Sequence, residues 1–542
     1  MGRVESRSTR SGGPIVHHAV AWRRSKNRAP WKEVVMASRR TVKLVALTGL
    51  CLALGMAHGW TAPPRPSVVI LYADDMGPGD IAAANLASRI PTPHLDRLCR
   101  EGTLFTDAHS SSGVCTPSRY ALLHGRYHWR KFHGIVQSFD QPVLDAERTT
   151  LAELLRGLGY RTACIGKWHL GWDWAALARD GVEPRRGGTG PAYALDELDW
   201  SRPIPGGPLA HGFDRYFGDD VPNFPPYAWI DDDRIVTPPT VALAVDGRPA
   251  EGAWETRPGP AVAGWDFHAV MPRLVDEAVA FIGDQRRDAP FLLYVPFTSP
   301  HAPIVPTREF TGRSQAGGYG DFVVQTDAAV GRVLDALDAR GLADDTIVIF
   351  SADNGPEAYA YERVRAFGHR SMGPLKGVKR DLWEGGHRVP FLVRWPGHVP
   401  AGRVDSGLVS QMDLYATIAG ITGAAIPADS AEDSLDQRAL FTGTGPSARD
   451  TLVHNTAPRS YALRHGDWVF IDAPSGGQSR MPEWFAKAEG YARNDEPGEL
   501  YDLRADPGQR VNRHATEPGR VAEMRRRLDA IVGDRRAKAD GG

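Results

Sequence analysis

A cysteine at the start of a short helical pattern is the residue best placed for chemistry in this chain. Positions 115–119 read Cys-Thr-Pro-Ser-Arg, and a turn of small residues precedes them. A first helical turn accepts proline because its missing N–H would have no partner there. The pattern therefore predicts Cys115 at a helix N-terminus, where an anion is favoured, with Arg119 one turn further on. A buried structural cysteine on a capped helix explains these residues equally well.

Carboxylate and amide oxygens follow two strongly apolar runs. Asp74 and Asp75 end the first run, and Asp353 and Asn354 follow the second. Ligand sets made only of oxygen suit Ca²⁺ or Mg²⁺, and no cysteine or histidine pair at zinc spacing accompanies these four residues. For the adjacent aspartates alone, a helix cap or a solvated turn is the alternative interpretation.

The predicted elements explain how residues far apart in sequence can meet. Apolar strands at 67–73, 160–165, 291–297 and 345–351 alternate with helical patterns. This order predicts an α/β fold, with a large, mostly parallel sheet sandwiched by helices. In open α/β sheets ligands bind at the carboxyl ends of the strands, and the polar motifs follow those ends. We therefore expect them to share one rim of the sheet.

The chain divides by pattern into three parts. Residues 1–62 form a basic leader and signal peptide, residues 66–450 a catalytic domain, and residues 451–535 a smaller domain with an antiparallel sheet and a helix. Within the catalytic part, about 172–260 is rich in glycine and proline and predicts long loops around a cleft.

The leader pattern predicts secretion or export to the periplasm. Basic residues at 39–43 precede the apolar run 44–56, which is too short for a membrane span of about 20 residues. Met36 is a candidate for the true start of the protein. A disordered basic tail before an uncleaved anchor is the alternative interpretation.

Composition excludes several other classes of protein. The 542 residues are 42% hydrophobic, which is enough for a large core, and the net charge of −1 gives no electrostatic case for binding nucleic acid or an anionic membrane. The four cysteines, Cys51, Cys99, Cys115 and Cys164, are too few for a disulfide scaffold. Cys99 and Cys164 fit small buried hydrophobic positions, and a bridge between them stays open.

Five segments read together resemble the signature of the type I sulfatases, the arylsulfatase family of the alkaline phosphatase-like superfamily. Each short motif is weak alone, but the ordered set is highly specific, and the resemblance covers roughly residues 66–533. The segments are Asp-Asp-Met-Gly at 74–77, Cys-Thr-Pro-Ser-Arg at 115–119 with Leu-Leu-His-Gly-Arg to 126, Gly-Lys-Trp-His-Leu-Gly at 166–171, Asp-Asn-Gly at 353–355, and 374–386 ending in Trp-Glu-Gly-Gly.

The resemblance implies a modified nucleophile and a metal. In this family the cysteine, here Cys115, is oxidised after translation to formylglycine, and its hydrate attacks the ester. A formylglycine-generating enzyme is then a maturation partner. The resemblance also implies one Ca²⁺ bound by Asp74, Asp75, Asp353, Asn354 and the oxygen at position 115.

The resemblance also implies roles for the basic residues. Three carboxylates at one rim would repel a sulfate ester, and a divalent ion with three basic side chains makes the rim net positive. The implied roles are orientation of position 115 by Arg119, proton acceptance from the diol by His169, binding of sulfate oxygens by Lys167 and Lys379, and donation to the leaving oxygen by His301, with Lys379 as a possible second donor.

Lys376 and Lys379 are both candidates for the second sulfate-binding lysine, and one further contact with the sulfate is unassigned. The family lysine lies five residues before the glutamate of Glu-Gly-Gly, so Glu384 selects Lys379 over Lys376. Asn223, after a Gly-Phe-Asp turn at 212–214, is a weaker candidate for contact with the sulfate. Further candidates for shaping the pocket are Trp129, His369 and the loop 219–227.

The expected activity is hydrolysis of a sulfuric ester, with a sulfated small molecule or saccharide as substrate. A phosphonate or phosphate ester hydrolase on the same scaffold is the first alternative, and a non-catalytic binder of sulfate esters is the second. The Gly-Lys-Trp-His-Leu-Gly motif, together with His301 and Lys379, favours sulfate. No motif position is lost, which argues against the binder.

Overall fold

The computed structural model describes residues 65–187, 190–244 and 255–533. The predicted leader, with Met36 and Cys51, lies outside the described residues, as does the end of the predicted C-terminal domain at 534–535. In the part that is described, no helix is both long and apolar enough to cross a membrane.

Twenty strands lie in the described ranges. In chain order they are β1 (Ser67–Ala73), β2 (Thr103–Phe105), β3 (Ala108–His109), β4 (Arg161–Lys167), β5 (Arg185–Gly187), β6 (Gly190–Ala192), β7 (Arg215–Asp220), β8 (Ile230–Asp231), β9 (Arg234–Ile235), β10 (Val241–Leu243), β11 (Gly259–Ala261), β12 (Phe291–Pro296), β13 (Thr346–Ala352), β14 (Phe391–Arg394), β15 (Arg403–Asp405), β16 (Val409–Ser410), β17 (Thr451–Ala457), β18 (Ser460–His465), β19 (Trp468–Ile471) and β20 (Glu499–Asp502).

Eleven α-helices accompany these strands in the same ranges. They are α1 (Pro93–Glu101), α2 (Cys115–His124), α3 (Leu151–Arg156), α4 (Val270–Gly283), α5 (Gly317–Arg340), α6 (Tyr359–Phe367), α7 (Glu384–His387), α8 (Asp413–Thr422), α9 (Arg438–Phe441), α10 (Glu483–Glu489) and α11 (Pro518–Val532). Short 3₁₀ helices lie at Pro78–Asp80, His128–Arg130, Trp174–Leu177, Pro208–His211, Phe267–Ala269 and Ala343–Asp345.

Ten strands form one central sheet, in the order β15-β2-β14-β13-β1-β12-β4-β7-β8-β9. The middle of the sheet, from β13 to β7, is parallel throughout. Antiparallel pairs, β14 against β13 and β8 against β7, flank it. The prediction of a large, mostly parallel sheet is confirmed.

Strand β1 shows why this sheet lies between two layers of helices. Its residues are all buried, and they alternate between two apolar clusters. Val68, Ile70 and Tyr72 pack with α2, α3 and α8 on one face, while Val69 and Leu71 pack with α1, α4 and α5 on the other. A continuous apolar run is what a strand buried on both faces requires.

The region around 172–260 is only partly a set of loops. Strands β5 to β11 lie in it, and β7 joins the central sheet beside β4. The Gly-Phe-Asp turn at 212–214 leads directly into β7, which begins at Arg215. Three consecutive residues of this strand, Gly218, Asp219 and Asp220, are poor formers of strands, so local pattern conceals it.

The three described cysteines are free thiols, so no bridge joins Cys99 to Cys164. Cys164 is fully buried in β4, whereas Cys99 is half-buried in α1. Cys164 therefore occupies the small hydrophobic position that was expected of it, and Cys99 does so in part.

Strands β17 to β20 form a separate antiparallel sheet, and α11 packs on it. The same apolar cluster contains Tyr127, Trp129 and Met412. The smaller antiparallel sheet with a helix is confirmed, while the domain boundary at 450/451 stays a prediction.

A buried ion pair joins the start of β17 to α8, and its loss should be costly. Arg449 donates from Nε to Asp413 Oδ2 at 2.8 Å, from Nη2 to Asp413 Oδ1, and to the carbonyls of Asp433 and Thr451. We expect Arg449→Ala to lower the free energy of unfolding by about 3–5 kcal/mol, because Asp413 is left buried without its ion-pair partner. Urea unfolding measures this loss.

The exposed pair between Arg438 and Asp436 provides the matched control. Arg438→Ala should cost less than about 1 kcal/mol, since solvent screens an exposed pair. Equal losses for the two variants would contradict the prediction.

Candidate active site

The predicted polar residues meet at the carboxyl edge of the central sheet. Asp74 and Asp75 follow β1, Lys167 is the last residue of β4, and Asp353 follows β13. Since β13, β1, β12 and β4 are parallel neighbours, their carboxyl ends lie side by side. His301 enters from the loop after β12.

Cys115 lies at the first position of α2, as its sequence context predicts. Helix α2 ends at Gly125, whose left-handed backbone closes it with a bond from its N–H to the carbonyl of Ala121. The thiol is fully buried, with Sγ 3.7 Å from Asp74 Oδ1. Burial raises the pKa of Cys115 far above its ordinary value. The unmodified thiol is therefore protonated, despite its place at a helix N-terminus.

Arg119 is fully buried and ties three of these segments together. Its Nη2 donates to Asp353 Oδ2 at 2.8 Å and lies 3.5 Å from Asp74 Oδ2. Its Nη1 donates to the carbonyl of Lys167 at 3.0 Å. One guanidinium thus fixes the ends of β1, β4 and β13 relative to α2.

Each of the two lysines holds one of the adjacent aspartates. Lys167 Nζ lies 2.5 Å from Asp74 Oδ2. Lys379 Nζ lies 2.7 and 2.8 Å from the two oxygens of Asp75. Burial alone would raise the pKa of Asp75, but Lys379 and His301 hold it below its ordinary value. Asp75 is therefore charged and able to bind a cation.

The donor set fits a hard divalent cation. Ligand atoms of Asp74, Asp75, Cys115 and His301 all lie within 4.8 Å of one another. Asn354 donates from Nδ2 to Asp75 Oδ1 at 2.7 Å, while its buried Oδ1 has no partner. An unpartnered buried oxygen beside charged carboxylates is what an oxygen-ligated ion would satisfy.

His169 is a neutral imidazole with one free acceptor. Its Nε2 lies 2.9 Å from the carbonyl of Val136, so the proton is assigned to Nε2. Its Nδ1 is buried without a partner. Burial keeps the pKa of His169 well below its ordinary value, so Nδ1 carries a lone pair.

His301 lies 3.7 Å from Asp75, measured from Nε2 to Oδ2, and its Nδ1 bonds to the carbonyl of Ala302. Burial lowers the pKa of His301 to about 3, with Asp75 opposing the shift. The ring is therefore neutral, and a second proton needs further negative charge nearby.

A polar cleft of about 420 Å³ opens above these residues. His169, His301 and Lys379 line it, as does Asn223, whose buried Oδ1 has no partner. Phe224 from the predicted loop lies beside them, under the Arg257 guanidinium at 3.7 Å.

Three other sequence candidates lie away from this cleft. Trp129 packs in the apolar cluster under the C-terminal sheet, and His369 Nε2 bonds to Asp80 at 2.7 Å, so the expectation that they shape the pocket is wrong. Both side chains contact residues that are distant in sequence, and short motifs do not reveal such contacts. Lys376 bonds to the Tyr501 hydroxyl at 3.1 Å, away from the aspartates.

Glu357 and Arg380 line the cleft but have no counterpart among the sequence predictions. Their side chains pair at 2.7 Å, and Glu357 also lies 3.8 Å from Lys379. Their only sequence signal is position, since one follows the Asp-Asn-Gly segment and the other follows Lys379 directly.

Carboxylates, basic side chains and a helix N-terminus at the carboxyl edge of an α/β sheet define a hydrolase of anionic esters. Comparison with known proteins gives the family. The family model Sulfatase matches residues 66–424. The chain belongs to the sulfatase family and is a sulfuric ester hydrolase that acts on a sulfated substrate.

Relatives and solved structures agree with this placement. An N-acetylgalactosamine-6-O-sulfatase of Bacteroides thetaiotaomicron is 30% identical over 498 residues, covering 86% of this chain and 93% of the relative. Human (Homo sapiens) arylsulfatase A is 32% identical, covering 89% of each chain. A solved protein from the Bacteroides thetaiotaomicron locus for glycosaminoglycan metabolism superposes with a TM-score of 0.72 at 28% identity, covering 86% of this chain and 99% of that one.

Proposed function

We propose that this enzyme releases sulfate from a sulfated carbohydrate, with a formylglycine made from Cys115 as nucleophile and one Ca²⁺ at the rim. The observation that carries the proposal is the position of Cys115, which lies 3.7 Å from Asp74 and directly follows Val114 in the wall of the polar cleft. Asp75, Lys379 and His301 surround the same point.

The chemistry gives a reason to modify this cysteine. A buried thiol with a raised pKa is a poor nucleophile, and a thiol or serine would keep the sulfuryl group as a stable ester. A geminal diol has a second hydroxyl. When that hydroxyl loses its proton, the carbon–oxygen bond to sulfate breaks, free sulfate leaves and an aldehyde remains. A formylglycine-generating enzyme is the proposed partner for maturation.

Asp74, Asp75, Asp353 and Asn354 are the proposed ligands of Ca²⁺, together with the oxygen of the modified residue at position 115. The ion would supply positive charge for the sulfuryl oxygens and for the nucleophile. The unpartnered Oδ1 of Asn354 and the charged state of Asp75 support this assignment.

The chain's own residues divide the remaining work. Lys167 and Lys379, which now bind Asp74 and Asp75, are the proposed donors to the sulfuryl oxygens once an ion occupies the carboxylates. Arg119 orients position 115 by fixing Asp353 against α2. His169 accepts the diol proton at Nδ1, its free acceptor.

His301 is the proposed donor to the leaving oxygen, with Lys379 as the second candidate. Since burial lowers the pKa of His301 to about 3, this role requires the negative charge of the bound ester to hold a second proton on the ring. The pKa of Lys379 shifts in the opposite direction to that of His301. Burial opposes its charge, but Asp75 raises its pKa well above the ordinary value.

The cleft suits a saccharide better than a flat aromatic ester. Gln137, Asn223, Thr456 and Gln478 offer amide and hydroxyl groups along its wall, and Phe224 adds one apolar face. Few fixed polar groups around an apolar patch are typical of pockets that orient a small ligand. The N-acetylgalactosamine-6-O-sulfatase relative favours a sulfated amino sugar.

Turnover on two matched esters tests the reaction. We expect a nitrophenyl sulfate to be hydrolysed far faster than the corresponding nitrophenyl phosphonate, and a strong preference for the phosphonate would overturn the sulfate assignment. Ion chromatography of sulfate released from sulfated amino sugars and oligosaccharides then tests the carbohydrate. Release from the aryl ester alone would leave the enzyme class standing and refute the sugar.

Mass spectrometry of the peptide containing position 115 tests the nucleophile. We expect an aldehyde, or its hydrate, in place of the thiol in active enzyme, because the protonated thiol cannot perform the reaction. Cys164, fully buried and outside the motif, should remain a thiol in the same digest. Active enzyme with position 115 entirely unmodified would contradict the proposal.

A further inference from the structure

Three buried histidines form a second cluster, away from the catalytic rim. His109 ends β3, His387 ends α7 and His454 lies in β17. All three are at least 98% buried, and their ligand nitrogens lie within 4.8 Å of one another. The reaction proposed above uses none of them.

Their hydrogen bonds leave two ring nitrogens that face each other with a lone pair on each. His109 Nε2 lies 2.8 Å from Asp107 Oδ1, and His387 Nε2 lies 3.2 Å from the carbonyl of Leu382. Both partners are acceptors, so both Nε2 atoms are assigned protons, and an imidazole with one proton there has a bare Nδ1. These two Nδ1 atoms lie 3.0 Å apart. Two lone pairs at that distance need a cation between them, either a proton or a metal ion.

His454 decides between a proton and a metal ion. Both of its ring nitrogens are buried, and among the described residues the backbone of Ser111 is the one group placed to bond to the ring, so at least one nitrogen has no partner. A proton shared by His109 and His387 would leave one buried nitrogen of His454 without a partner, whereas a metal ion uses one nitrogen from each ring. We propose that His109, His387 and His454 bind a late first-row divalent ion of the Zn²⁺ type.

The chemistry of the cluster fits such an ion. Imidazole nitrogens suit Zn²⁺ and its neighbours, and binding to Asp107 and to the Leu382 carbonyl orients two rings as metal-bound histidines usually are. Burial lowers the pKa of His387 to about 3 and holds that of His454 well below its ordinary value, so both offer lone pairs.

Only small movements are needed for ligation. Nitrogens around tetrahedral zinc lie about 3.3 Å apart, so the Nδ1 pair at 3.0 Å must widen slightly and the other separations, at most 4.8 Å, must contract by up to about 1.5 Å. The rings of His387 and His454 stack with centroids 3.5 Å apart, and the His454 ring must turn to aim a nitrogen at the Nδ1 pair.

Two carboxylates and two guanidinium groups lie around the cluster and pair with one another. Asp107 pairs with Arg388 at 3.2 Å and with Arg464 at 3.1 Å, and Glu384 lies 3.3 Å from Arg388. The two carboxylates lie beside His109, at 2.8 and 3.9 Å from its Nε2, where they stabilise added positive charge.

The position of the site suggests a structural role. His109 precedes Cys115 by six residues, and His387 lies eight residues after Lys379. An ion there would fasten the segments that carry both residues to β17 of the C-terminal sheet. Its loss should therefore lower stability rather than abolish turnover.

Metal titration of the tag-free full chain tests the proposal. The enzyme is stripped with chelator, saturated with Ca²⁺ to fill the catalytic rim, and titrated with Co²⁺ or Zn²⁺. We expect one Co²⁺ per chain with visible bands of a nitrogen-ligated tetrahedral ion, and a rise of a few degrees in Tm with Zn²⁺. His454→Phe should lose both signals and keep its turnover of an aryl sulfate.

His133→Gln is the matched control. His133 contacts Asn455 and Tyr461 of the same sheet but lies outside the cluster, so this variant should keep both signals. Retained bands in His454→Phe would overturn the site. Absence of bands and of a Tm shift in the wild-type enzyme would also overturn it in favour of a shared proton, and this result stands even if His454→Phe does not fold.

Discussion

Cys115→Ala is expected to abolish hydrolysis of the sulfate ester while the fold remains and the four other proposed calcium ligands stay in place. Alanine has no group from which a formylglycine can form, so the nucleophile is lost outright. Loss of a nucleophile costs roughly 10⁴- to 10⁶-fold in turnover, because the remaining groups act around it as a unit. The buried Cys115 thiol lies 3.7 Å from Asp74, which is a long and weak polar contact, so its removal should disturb stability little.

Cys115→Ser gives a sharper test than alanine alone. Its hydroxyl can accept a sulfuryl group but has no second hydroxyl with which to expel it. We expect this variant to accumulate one sulfate per chain and stop, which intact mass spectrometry would show. Cys99→Ala, at a half-buried thiol in α1, should keep full turnover. Wild-type turnover in Cys115→Ala, or multiple turnovers by the serine variant, would refute the nucleophile.

Local sequence pattern predicts the parts of the fold that depend mainly on one physical effect, such as the burial of apolar side chains. Strand β1 is apolar at every position because both of its faces are buried, and its bounds match the prediction. The aspartates after β1 and β13 meet because parallel neighbours end at one edge. Strand β7, beside β4, is short and ends in two aspartates, so nothing local marks it.

Contacts between distant segments are what the sequence alone could not supply. Lys379 and Asp75 are 304 positions apart, and only the family spacing indicated which lysine to choose. No motif spacing indicates the histidine cluster, since His109 and His387 are 278 positions apart. Close packing at a glycine is likewise not visible in the sequence. A Cβ on Gly355 would lie 1.9 Å from the carbonyl oxygen of Gly385, so the Asp-Asn-Gly turn packs directly on the Glu-Gly-Gly turn.

Asp353→Asn is expected to remove calcium and activity together. Asp353 accepts from Arg119 at 2.8 Å through Oδ2 and from the backbone N–H of Asp75 at 3.2 Å through Oδ1. Asparagine keeps the size of the side chain but removes one of three carboxylate charges, and its NH₂ group must face one of those two donors. We expect turnover to fall by at least about 10²-fold, as when one preorganised charge contact is lost. Metal analysis of the purified variant should show much less than one calcium per chain.

The alanine variant separates the metal from the fold. Asp353→Ala leaves the Arg119 guanidinium buried, with Asp74 at 3.5 Å as the carboxylate nearby and the Lys167 carbonyl as a hydrogen-bond acceptor, and this should cost about 3–5 kcal/mol of stability in addition to the metal. Asparagine should cost less, because a polar partner remains. Asp345→Asn, at an exposed acidic residue just before β13, should change neither metal nor turnover. If both Asp353 variants kept a full complement of calcium, Asp353 would be a partner of Arg119 and not a ligand, and the ion would depend on Asp74, Asp75 and Asn354.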